Sequence, residues 1–198
     1  YWPARAHTMI GKKRLTNIEK CFQEIIKNKI PGDLIETGVW RGGACIFMAG
    51  LNKYYKENRK IYVADSFEGL PPPEKKYKAD KGDVHHTIKC LAVGLDQVKD
   101  NFKRYDLLDK NVIFIKGYFE HSLKNTDIKQ LALLRLDGDM YSSTIQVLTQ
   151  LYDKVSPGGY IIIDDYALPG CRKAVDKFRK KRNIKSKLKI VDHTGRYW

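Results

Sequence analysis

Apolar residues follow two patterns along this chain, a spacing of three or four positions and short continuous runs. Stretches with the two patterns alternate. Leu15, Ile18, Phe22 and Ile25 are three or four positions apart, which is the spacing of an amphipathic helix. Related patterns predict helices over residues 12–28, 44–55, 95–105, 144–155 and 170–182. Short apolar runs predict strands at residues 34–37, 61–64, 112–115, 131–136 and 160–163, and β-prone segments follow at 188–191 and 195–198.

This alternation predicts an α/β fold. Continuous apolar strands are typical of parallel sheets that are buried on both faces, so we expect a Rossmann-like, doubly wound, mostly parallel sheet with helices on both faces. We find neither an internal repeat nor a linker, which predicts a single domain over residues 1–198. Residues 1–11 are expected to form an N-terminal arm. The polar residues 74–90, which follow three consecutive prolines, are expected to form a mobile flap over the strand ends.

The first predicted strand runs into a glycine-rich turn, within Asp33-Leu-Ile-Glu-Thr-Gly-Val-Trp-Arg-Gly-Gly43. A strand, a glycine turn and a helix in this order build a nucleotide site. Gly38 would allow a tight turn, and Gly42 and Gly43 would let a ligand approach the backbone. The spacing does not match G-x-G-x-x-G, and the absence of Gly-Lys-Ser/Thr excludes a P-loop. An ordinary βα turn without a ligand is the alternative interpretation.

Acidic residues follow most of the predicted strands, where ligands of such sheets bind. Asp65 lies 23 residues after Gly42, as expected for a carboxylate that binds ribose hydroxyls, although it could also start a turn. Asp137, Asp164 and Asp165 would repel one another unless a cation joins them, and oxygen ligands favour Mg²⁺, Ca²⁺ or Mn²⁺. The alternative is that these residues only cap helices. For Asp139 we expect a structural role, as a cap before residues 142–144 or as support for the cluster.

The chain is strongly basic, with a net charge of +14 over 198 residues. From residue 169 onward there are 11 Lys and Arg against 2 Asp, so this segment carries +9 of that charge. Such a balance raises nucleic acid as a partner, but aromatic RNA-binding motifs are absent and a solvated lysine-rich face is favoured. The four cysteines include no C-x-x-C pair, which argues against zinc and disulfides and predicts reduced thiols in a cytoplasmic protein. No apolar run reaches the ~20 residues of a membrane helix, so no membrane partner is expected.

Several segments together resemble the macrocin O-methyltransferase (TylF) family. They are Trp2-Pro-Ala-Arg-Ala-His-Thr-Met-Ile10, Asp33-Leu-Ile-Glu-Thr-Gly-Val-Trp-Arg-Gly-Gly-Ala-Cys45, Ala64-Asp-Ser-Phe-Glu-Gly-Leu-Pro-Pro-Pro73, Leu133-Leu-Arg-Leu-Asp-Gly-Asp139, Gly158-Gly-Tyr-Ile-Ile-Ile-Asp-Asp-Tyr166, Arg172-Lys-Ala-Val-Asp176 and Thr194-Gly-Arg-Tyr-Trp198. The resemblance covers nearly the whole chain. It implies an O-methyltransferase that uses S-adenosylmethionine and Mg²⁺ and acts on sugar hydroxyls of natural products. It also implies a late antiparallel strand at residues 195–198.

The resemblance also implies roles for individual residues. The cofactor-binding set is Thr8, Met9, Glu36, Thr37, Gly38, Arg41, Asp65, Ser66, Phe67 and Gly117. Within it, Glu36, Thr37 and Gly38 would hold the methionine part, Asp65 would bind the ribose between Ser66 and Phe67, and Thr8 and Met9 would close over the pocket. Asp137, Asp164 and Asp165 would hold the metal. The segment after the prolines is Lys-rich here, with Lys75, Lys76, Lys78 and Lys81, and this departure leaves the acceptor open.

Methyl transfer requires a base for the acceptor hydroxyl, and we expect Asp137 to be both metal ligand and catalytic base. His85, His86 and His121 are alternative bases. A noncatalytic or nucleic-acid-binding protein on the same scaffold, using the basic C-terminal segment, is the main alternative function, and an NAD-dependent oxidoreductase is another. The expected partner is a small-molecule hydroxyl acceptor, in particular a sugar. A homodimer, in which the arm would complete a neighbour's pocket, remains open.

Overall fold

The structure, a computed structural model, describes residues 4–198, and residues 1–3 of the expected arm lie outside this range. In the described part the helices are α1 (Lys12–Lys27), α2 (Gly43–Tyr54), α3 (Leu95–Arg104), α4 (Phe119–Ser122), α5 (Tyr141–Leu151) and α6 (Pro169–Lys181). The strands are β1 (Asp33–Thr37), β2 (Ile61–Asp65), β3 (Val112–Lys116), β4 (Leu131–Leu136), β5 (Val155–Ile163), β6 (Lys189–Ile190) and β7 (Arg196–Tyr197). The short helix α4 was not predicted from the sequence.

The strands form one sheet in the order β3-β2-β1-β4-β5-β7-β6. The first five are parallel, whereas β7 runs antiparallel to β5 and to β6. This confirms the predicted doubly wound fold with a late antiparallel strand. In the register of β1 and β4, Glu36 lies opposite Arg135. The sheet therefore places an acidic and a basic side chain next to each other in its buried centre.

The apolar residues form two clusters, one on each face of the sheet. Leu34 of β1 belongs to the cluster that contains Phe22 of α1, whereas its neighbour Ile35 belongs to the cluster that contains Phe178 of α6. Leu34 and Ile35 are both 0% exposed, and burying a side chain of this kind contributes roughly 1.5–3 kcal/mol. Burial on both faces explains why the central strands are continuous apolar runs rather than alternating ones.

The region around α5 differs from the prediction at both ends. The helix begins at Tyr141 instead of Thr144 and ends at Leu151, and a 3₁₀ turn leads into β5 at Val155. The predicted helix end at Val155 and the predicted strand start at Tyr160 were therefore wrong. A register shift between β4 and β5, between Leu131 and Leu133, accommodates the Pro-Gly-Gly sequence that the prediction treated as an interruption, since proline is tolerated in a strand at a bulge.

The segment over residues 74–90 contains local structure. It holds 3₁₀ turns at Lys78–Asp80 and His85–Thr87, and a third follows at Lys89–Leu91. The predicted mobility of this segment stays a prediction. Within residues 4–198, no helix combines the length and the apolar character that crossing a membrane requires.

Candidate functional site

The carboxyl ends of β1, β2 and β4 open into a pocket that leaves about 680 Å³ free of protein atoms, part of it open to solvent. We call it the first pocket. Its lining residues come from the strand ends, the proline loop, α4 and α5: Met9, Gly38, Trp40, Asp65, Ser66, Gly69, Leu70, Pro71, Leu91, Tyr118, Phe119, Asp137, Gly138, Asp139, Ser143 and Gln146. Two of these, Leu91 and Tyr118, were not selected from the sequence, because no motif marked them.

Gly38 is the point where the turns after β1 and β4 touch. Its φ is +86°, and a Cβ at this position would lie 1.7 Å from the carbonyl oxygen of Asp137. Its N–H donates to the carbonyl of Ala64 at 2.9 Å. A glycine is therefore required here both by the left-handed backbone and by the close approach. The contact fixes Asp137 at the wall of the first pocket.

Gly42 and Gly43 do not leave space for a ligand, contrary to the expectation from the sequence. A Cβ on Gly42 would lie 2.8 Å from Val98, and one on Gly43 would lie 2.3 Å from the carbonyl oxygen of His7. Gly43 also donates its N–H to that carbonyl at 2.8 Å. These two glycines therefore allow α3 and the N-terminal arm to pack closely against the turn.

The arm is held against the turn by Arg41. Its guanidinium donates to the carbonyls of Ala4 at 3.3 Å and Ala6 at 3.1 Å. The arm then brings Met9 into the first pocket, and brings both Met9 and Thr8 into a second pocket described below. Arg41 also lies 4.3 Å from the ring centroid of Trp40, a residue that lines both pockets, so it supports the site through the arm and through Trp40.

Asp65 forms the local turn that was one of its two expected roles, and its binding to ribose stays a prediction. One carboxylate oxygen accepts the N–H of Val39 at 2.7 Å, and the other accepts the N–H of Phe67 at 2.8 Å, which forms a local turn. The Ser66 hydroxyl lies 3.3 Å from the oxygen that accepts from Phe67, and Asp65 also lines the first pocket. Burial raises the pKa of Asp65 above its usual value, although these hydrogen bonds favour the charged form.

The other residues that the resemblance selected take different positions. Ser66 lines the first pocket and donates its hydroxyl to the carbonyl of Gly69 at 2.6 Å. Thr37 is buried and donates to the carbonyl of Arg135 at 3.3 Å. Phe67 is buried, and Gly117 donates its N–H to the carbonyl of Asp65 at 2.9 Å. Thr37, Phe67 and Gly117 thus shape the strand ends and line neither pocket.

A second pocket adjoins the first and contains the acidic cluster. It is lined by Thr8, Met9, Ile10, Arg14, Glu36, Val39, Trp40, Ala44, His85, Leu91, Asp137, Asp139, Asp164 and Asp165. Met9, Trp40, Leu91, Asp137 and Asp139 line both pockets. A molecule in the first pocket and a molecule in the second would therefore meet beside Asp137.

Asp137, Asp164 and Asp165 converge as the sequence predicted. Each offers one carboxylate oxygen, and these three oxygens lie within 4.8 Å of one another. The pKa of Asp165 lies well above its usual value because of burial and the nearby charges of Asp137, Asp139 and Asp164. Among the hydrogen bonds of the described residues, the Asp165 carboxylate accepts only the N–H of Asp139, at 3.0 Å. This donor set of three converging carboxylates fits a hard divalent cation.

Arg135 lies at the centre of the cluster and was missed from the sequence. It is 0% exposed, and its guanidinium pairs with Glu36, with Asp164 and, at 2.8 Å, with Asp137. The sequence did contain a signal for it, because Arg135 is a charged residue inside the apolar run of β4. A charge that is buried there requires partners. Burial raises the pKa of Glu36 to about 7, even though the attraction of Arg135 opposes the shift. Glu36 also accepts a hydrogen bond from the Cys45 thiol at 2.9 Å.

A second arginine connects the cluster with both ends of the chain. Arg14 of α1 pairs with Asp164 and, at 3.1 Å, with Asp192 in the turn before β7. Asp192 in turn accepts the backbone N–H groups of Thr194 at 3.0 Å and Gly195 at 2.7 Å. Asp164 therefore receives a different arginine on each of its two oxygens.

The cap of α5 comes from the flap rather than from Asp139. Asp80 is 3% exposed, and its carboxylate accepts the N–H of Tyr141 at 2.7 Å and the N–H of Ser142 at 2.9 Å. The expected capping role of Asp139 was wrong. Asp139 has a φ of +57° and donates its own N–H to Asp165, which leaves support of the cluster as its role. Its pKa is raised to about 7, chiefly by burial and the charge of Asp137.

Of the three histidines considered as bases, His85 is the one that lines the second pocket. Its Nδ1 lies 2.8 Å from a carboxylate oxygen of Asp83, which orients the ring. Burial lowers its pKa, but the hydrogen bond to Asp83 and the charge of Asp139 produce a net increase. His86 and His121 are exposed and line neither pocket.

Comparison with known proteins identifies the family. The model of the macrocin-O-methyltransferase (TylF) family matches residues 1–198. The chain belongs to this family. It is 50% identical over 201 residues to the demethyldecarbamoylnovobiocin O-methyltransferase of Streptomyces niveus, and the match covers 100% of the chain and 77% of that enzyme.

Two further comparisons agree with this assignment. Identity is 44% over 200 residues to the 8-demethyl-8-(2,3-dimethoxy-alpha-L-rhamnosyl)-tetracenomycin-C 4'-O-methyltransferase of Streptomyces olivaceus, covering 100% of the chain and 77% of the relative. The solved structure of the O-methyltransferase NovP superimposes with a TM-score of 0.97 at 50% identity, covering 100% of the chain and 83% of that structure. The protein is thus an S-adenosylmethionine-dependent O-methyltransferase, and the noncatalytic and NAD-dependent alternatives are set aside.

Proposed function

We propose that this enzyme transfers a methyl group from S-adenosylmethionine to a sugar hydroxyl of a glycosylated small molecule, with a divalent cation, in particular Mg²⁺, at the acidic cluster. The observation that carries the proposal is the convergence of Asp137, Asp164 and Asp165 within 4.8 Å beside the pocket that contains Asp65. The names of the two relatives support the acceptor class, because they describe a methyl acceptor related to novobiocin and a rhamnosyl derivative of tetracenomycin C.

The donor fits the first pocket with its ribose at Asp65 and its adenine between the proline loop and α4. Asp65, Tyr118 and Phe119 all line this pocket, and the two rings offer aromatic surface. Gly38 lines the pocket where its turn contacts the carbonyl of Asp137, and the methionine part would pass beside this contact. Glu36, Thr37, Arg41, Phe67 and Gly117 would then act mainly by holding the turns, and Thr8 and Met9 by covering the pocket.

The acceptor fits the second pocket, where Asp137 is the group best placed to take its proton. The Asp137 side chain is 29% exposed, compared with 4% for Asp164. One of its oxygens, Oδ2, accepts a hydrogen bond from Arg135, which leaves Oδ1 for the acceptor hydroxyl. A divalent cation at this site would orient the hydroxyl and lower its pKa.

The reaction is then a displacement in which Asp137 receives the proton. The hydroxyl oxygen forms a bond to the methyl carbon while the bond between carbon and sulfur breaks, and the electron pair of that bond stays on sulfur. The proton of the hydroxyl passes to Asp137 Oδ1 and leaves later to water. Met9, Trp40 and Leu91, which line both pockets, exclude water from the point where the two molecules meet.

The test is a methyl-transfer assay with a panel of glycosides and free sugars, with and without Mg²⁺ and EDTA. We expect EDTA to abolish turnover while calorimetry still detects S-adenosylmethionine binding, since Asp65 and Gly38 lie outside the metal ligands. Full activity in EDTA would contradict the metal assignment. Methylation of no sugar-bearing compound in the panel would contradict the acceptor class.

Single substitutions distinguish the proposed base, Asp137, from Asp139 and His85. Asp137→Asn is expected to remove activity by at least ~100-fold, more than Asp139→Asn, because general base catalysis contributes roughly 10²–10⁴. Asp96→Asn on the exposed first turn of α3 is the matched control and should leave turnover unchanged. Equal losses in the Asp137 and Asp139 variants would refute Asp137 as the base, and a loss confined to His85→Gln would assign that role to the histidine paired with Asp83.

A further inference from the structure

Trp40 has a backbone conformation that bulky residues rarely adopt, with a φ of +49° in the left-handed region. In the described part of the chain, four other residues that are not glycine have this conformation directly after a helix cap, its usual place: Lys29, Lys56, Asp106 and Asn183. Trp40, Phe67 and Asp139 instead lie in the turns after β1, β2 and β4. Strain of this kind persists where the surroundings impose it, and it is concentrated at functional sites.

The side chain of Trp40 connects the turn after β1 with the flap and with the arm. Its indole Nε1 donates to the carbonyl of Cys90, at the end of the flap, at 2.7 Å. The guanidinium of Arg41 lies over the ring, 4.3 Å from the centroid, and also donates to the carbonyls of Ala4 and Ala6 in the arm. The ring of Trp40 is therefore held in one orientation by the flap and by the arginine that binds the arm.

Two attachments enclose the part of the flap that borders the second pocket. At one side, the Asp80 carboxylate accepts two N–H groups of α5, as described above. At the other side, the carbonyl of Cys90 accepts the indole N–H of Trp40. His85, which lines the second pocket, lies between these attachments, and Leu91, which lines both pockets, follows directly after Cys90. The positions of both side chains therefore depend on the bond between Trp40 and Cys90.

The second pocket depends on this part of the flap more than the first pocket does. Met9, Trp40 and Leu91 are the apolar residues that line both pockets, and we call them the shared wall. Beyond the shared wall, the first pocket is bounded by the strand ends, the proline loop, α4 and α5. The second pocket receives no residue from the proline loop, α4 or α5, and its cover comes from the arm and from His85 and Leu91. Loosening the flap should therefore disturb the second pocket more than the first.

We propose that Trp40 is a positioning residue for the acceptor, because its indole N–H holds the end of the flap and thereby fixes the shared wall of the two pockets. This inference rests on the proposed function, in which the acceptor occupies the second pocket and the donor the first. An in-line displacement requires the reacting atoms to be held about 3–3.5 Å apart, so a displaced wall weakens productive binding of the acceptor. A tryptophan retained only for packing would not require the N–H.

The experiment compares Trp40→Phe with Trp198→Phe in the full chain, with the most active glycoside of the panel as acceptor. Trp40→Phe keeps an aromatic ring and removes the N–H donor. We expect it to raise the KM of the acceptor about three- to tenfold, the usual effect of losing one hydrogen bond, and to change the Kd of S-adenosylhomocysteine by no more than about twofold. Trp198 is the matched control, because its ring also contacts an arginine, Arg179 at 4.7 Å, and lines neither pocket. Trp198→Phe should leave both quantities within about twofold.

Amide hydrogen exchange over residues 81–92 tests the attachment of the flap without any ligand. Exchange in this segment should be at least about threefold faster in Trp40→Phe than in the unmodified enzyme, because opening the segment no longer breaks the bond to Trp40. Trp198→Phe should exchange there at the rate of the unmodified enzyme. Unchanged exchange in Trp40→Phe would overturn the proposal.

Two kinetic outcomes would also overturn it. They are an unchanged KM of the acceptor in Trp40→Phe, and equal losses of donor and acceptor affinity, which would indicate general packing. If Trp40→Phe fails to fold, 3-benzothienylalanine incorporated at position 40 decides the question, since it keeps the bicyclic shape and lacks the N–H. If the unmodified enzyme methylates no glycoside, the proposed function fails, whereas hydrogen exchange still decides whether Trp40 holds the flap.

Discussion

Arg135 is the residue on which the arrangement of the acidic cluster depends. It pairs with Glu36 at the end of β1 and with two carboxylates from the proposed metal site, Asp137 and Asp164. Removing one partner of a buried ion pair is strongly destabilising, because it leaves charge that is neither solvated nor paired. A guanidinium suits this position since its planar donors can bind several carboxylates at once, which an ammonium group cannot do with the same geometry.

Arg135→Met is expected to lower the free energy of unfolding by about 3–5 kcal/mol, measured by urea denaturation. The deficit should grow between pH 5 and pH 8. The pKa of Glu36 is already raised to about 7 in the folded protein, and loss of the guanidinium raises it further. A carboxyl whose folded pKa exceeds its unfolded value of about 4.3 stabilises the fold below that value and loses this contribution as pH rises towards the folded pKa. An equal deficit at both pH values would refute this explanation. Arg14→Met, at a partly exposed position, is the comparison and should lower the free energy of unfolding by less.

Gly38→Ala tests the close contact between the turns after β1 and β4. The added methyl would overlap the carbonyl of Asp137, so we expect a loss of about 1–3 kcal/mol beyond that of the control and a marked loss of S-adenosylhomocysteine binding. Gly82→Ala is a matched control, because Gly82 has a φ of +85° and nothing within 4 Å of the added Cβ. Similar losses of stability in both variants would show that backbone strain, rather than the contact with Asp137, explains the effect. Thermal denaturation and calorimetry measure the two quantities.

At the scale of elements, the flap and α5 depend on each other through Asp80. The carboxylate satisfies two N–H groups at the first turn of α5, which begins directly after the Asp137–Asp139 loop. The same contact fixes the flap beside α5. A cap supplied from 61 residues away thus positions both the acidic loop and the flap.

Asp80→Ala should lower the free energy of unfolding by about 0.5–2 kcal/mol, the usual cost of losing a helix cap. The released flap should also be cut faster by trypsin, since its lysines would become more accessible. The comparison is with Asp96→Ala, which removes an exposed acid from the first turn of α3 that forms no capping bond. If trypsin cuts both variants at the same rate, Asp80 does not anchor the flap. Limited proteolysis followed by mass spectrometry identifies the cleaved bonds.

The sequence predicts the elements well and their distant contacts poorly. The spacing of Leu15, Ile18 and Phe22 is a local property, so α1 was placed within one residue. Asp80 could not be recognised as the cap of α5, because the capping atom and the helix are separated along the chain. Likewise, the alignment of strand ends brought the three aspartates together in the prediction, whereas Arg135 required knowledge that Glu36 lies opposite it on the neighbouring strand.

At the scale of the whole molecule, the proposed site draws on β1, β2, β4, β5, the arm and the flap, so ligand binding should stabilise the entire fold. S-adenosylhomocysteine at 100 times its Kd is expected to add about 2.7 kcal/mol. At roughly 2–4 °C per kcal/mol for a protein of this size, the Tm should rise by roughly 5–11 °C. Differential scanning fluorimetry measures the shift. NAD should produce none, and a comparable shift with NAD would contradict the donor pocket proposed for Asp65 and Gly38.

The pairing of Arg14 with Asp192 also has a consequence for the order of folding. These residues are 178 positions apart, and Arg14 contacts Asp164 across 150 positions. Contacts between such distant parts of a chain form late, because a long loop must close before they contribute. During refolding the helices and the central strands should therefore appear before the acidic cluster is complete. A chain still emerging from the ribosome would have most of its sheet in place while its methyltransferase site remained unfinished.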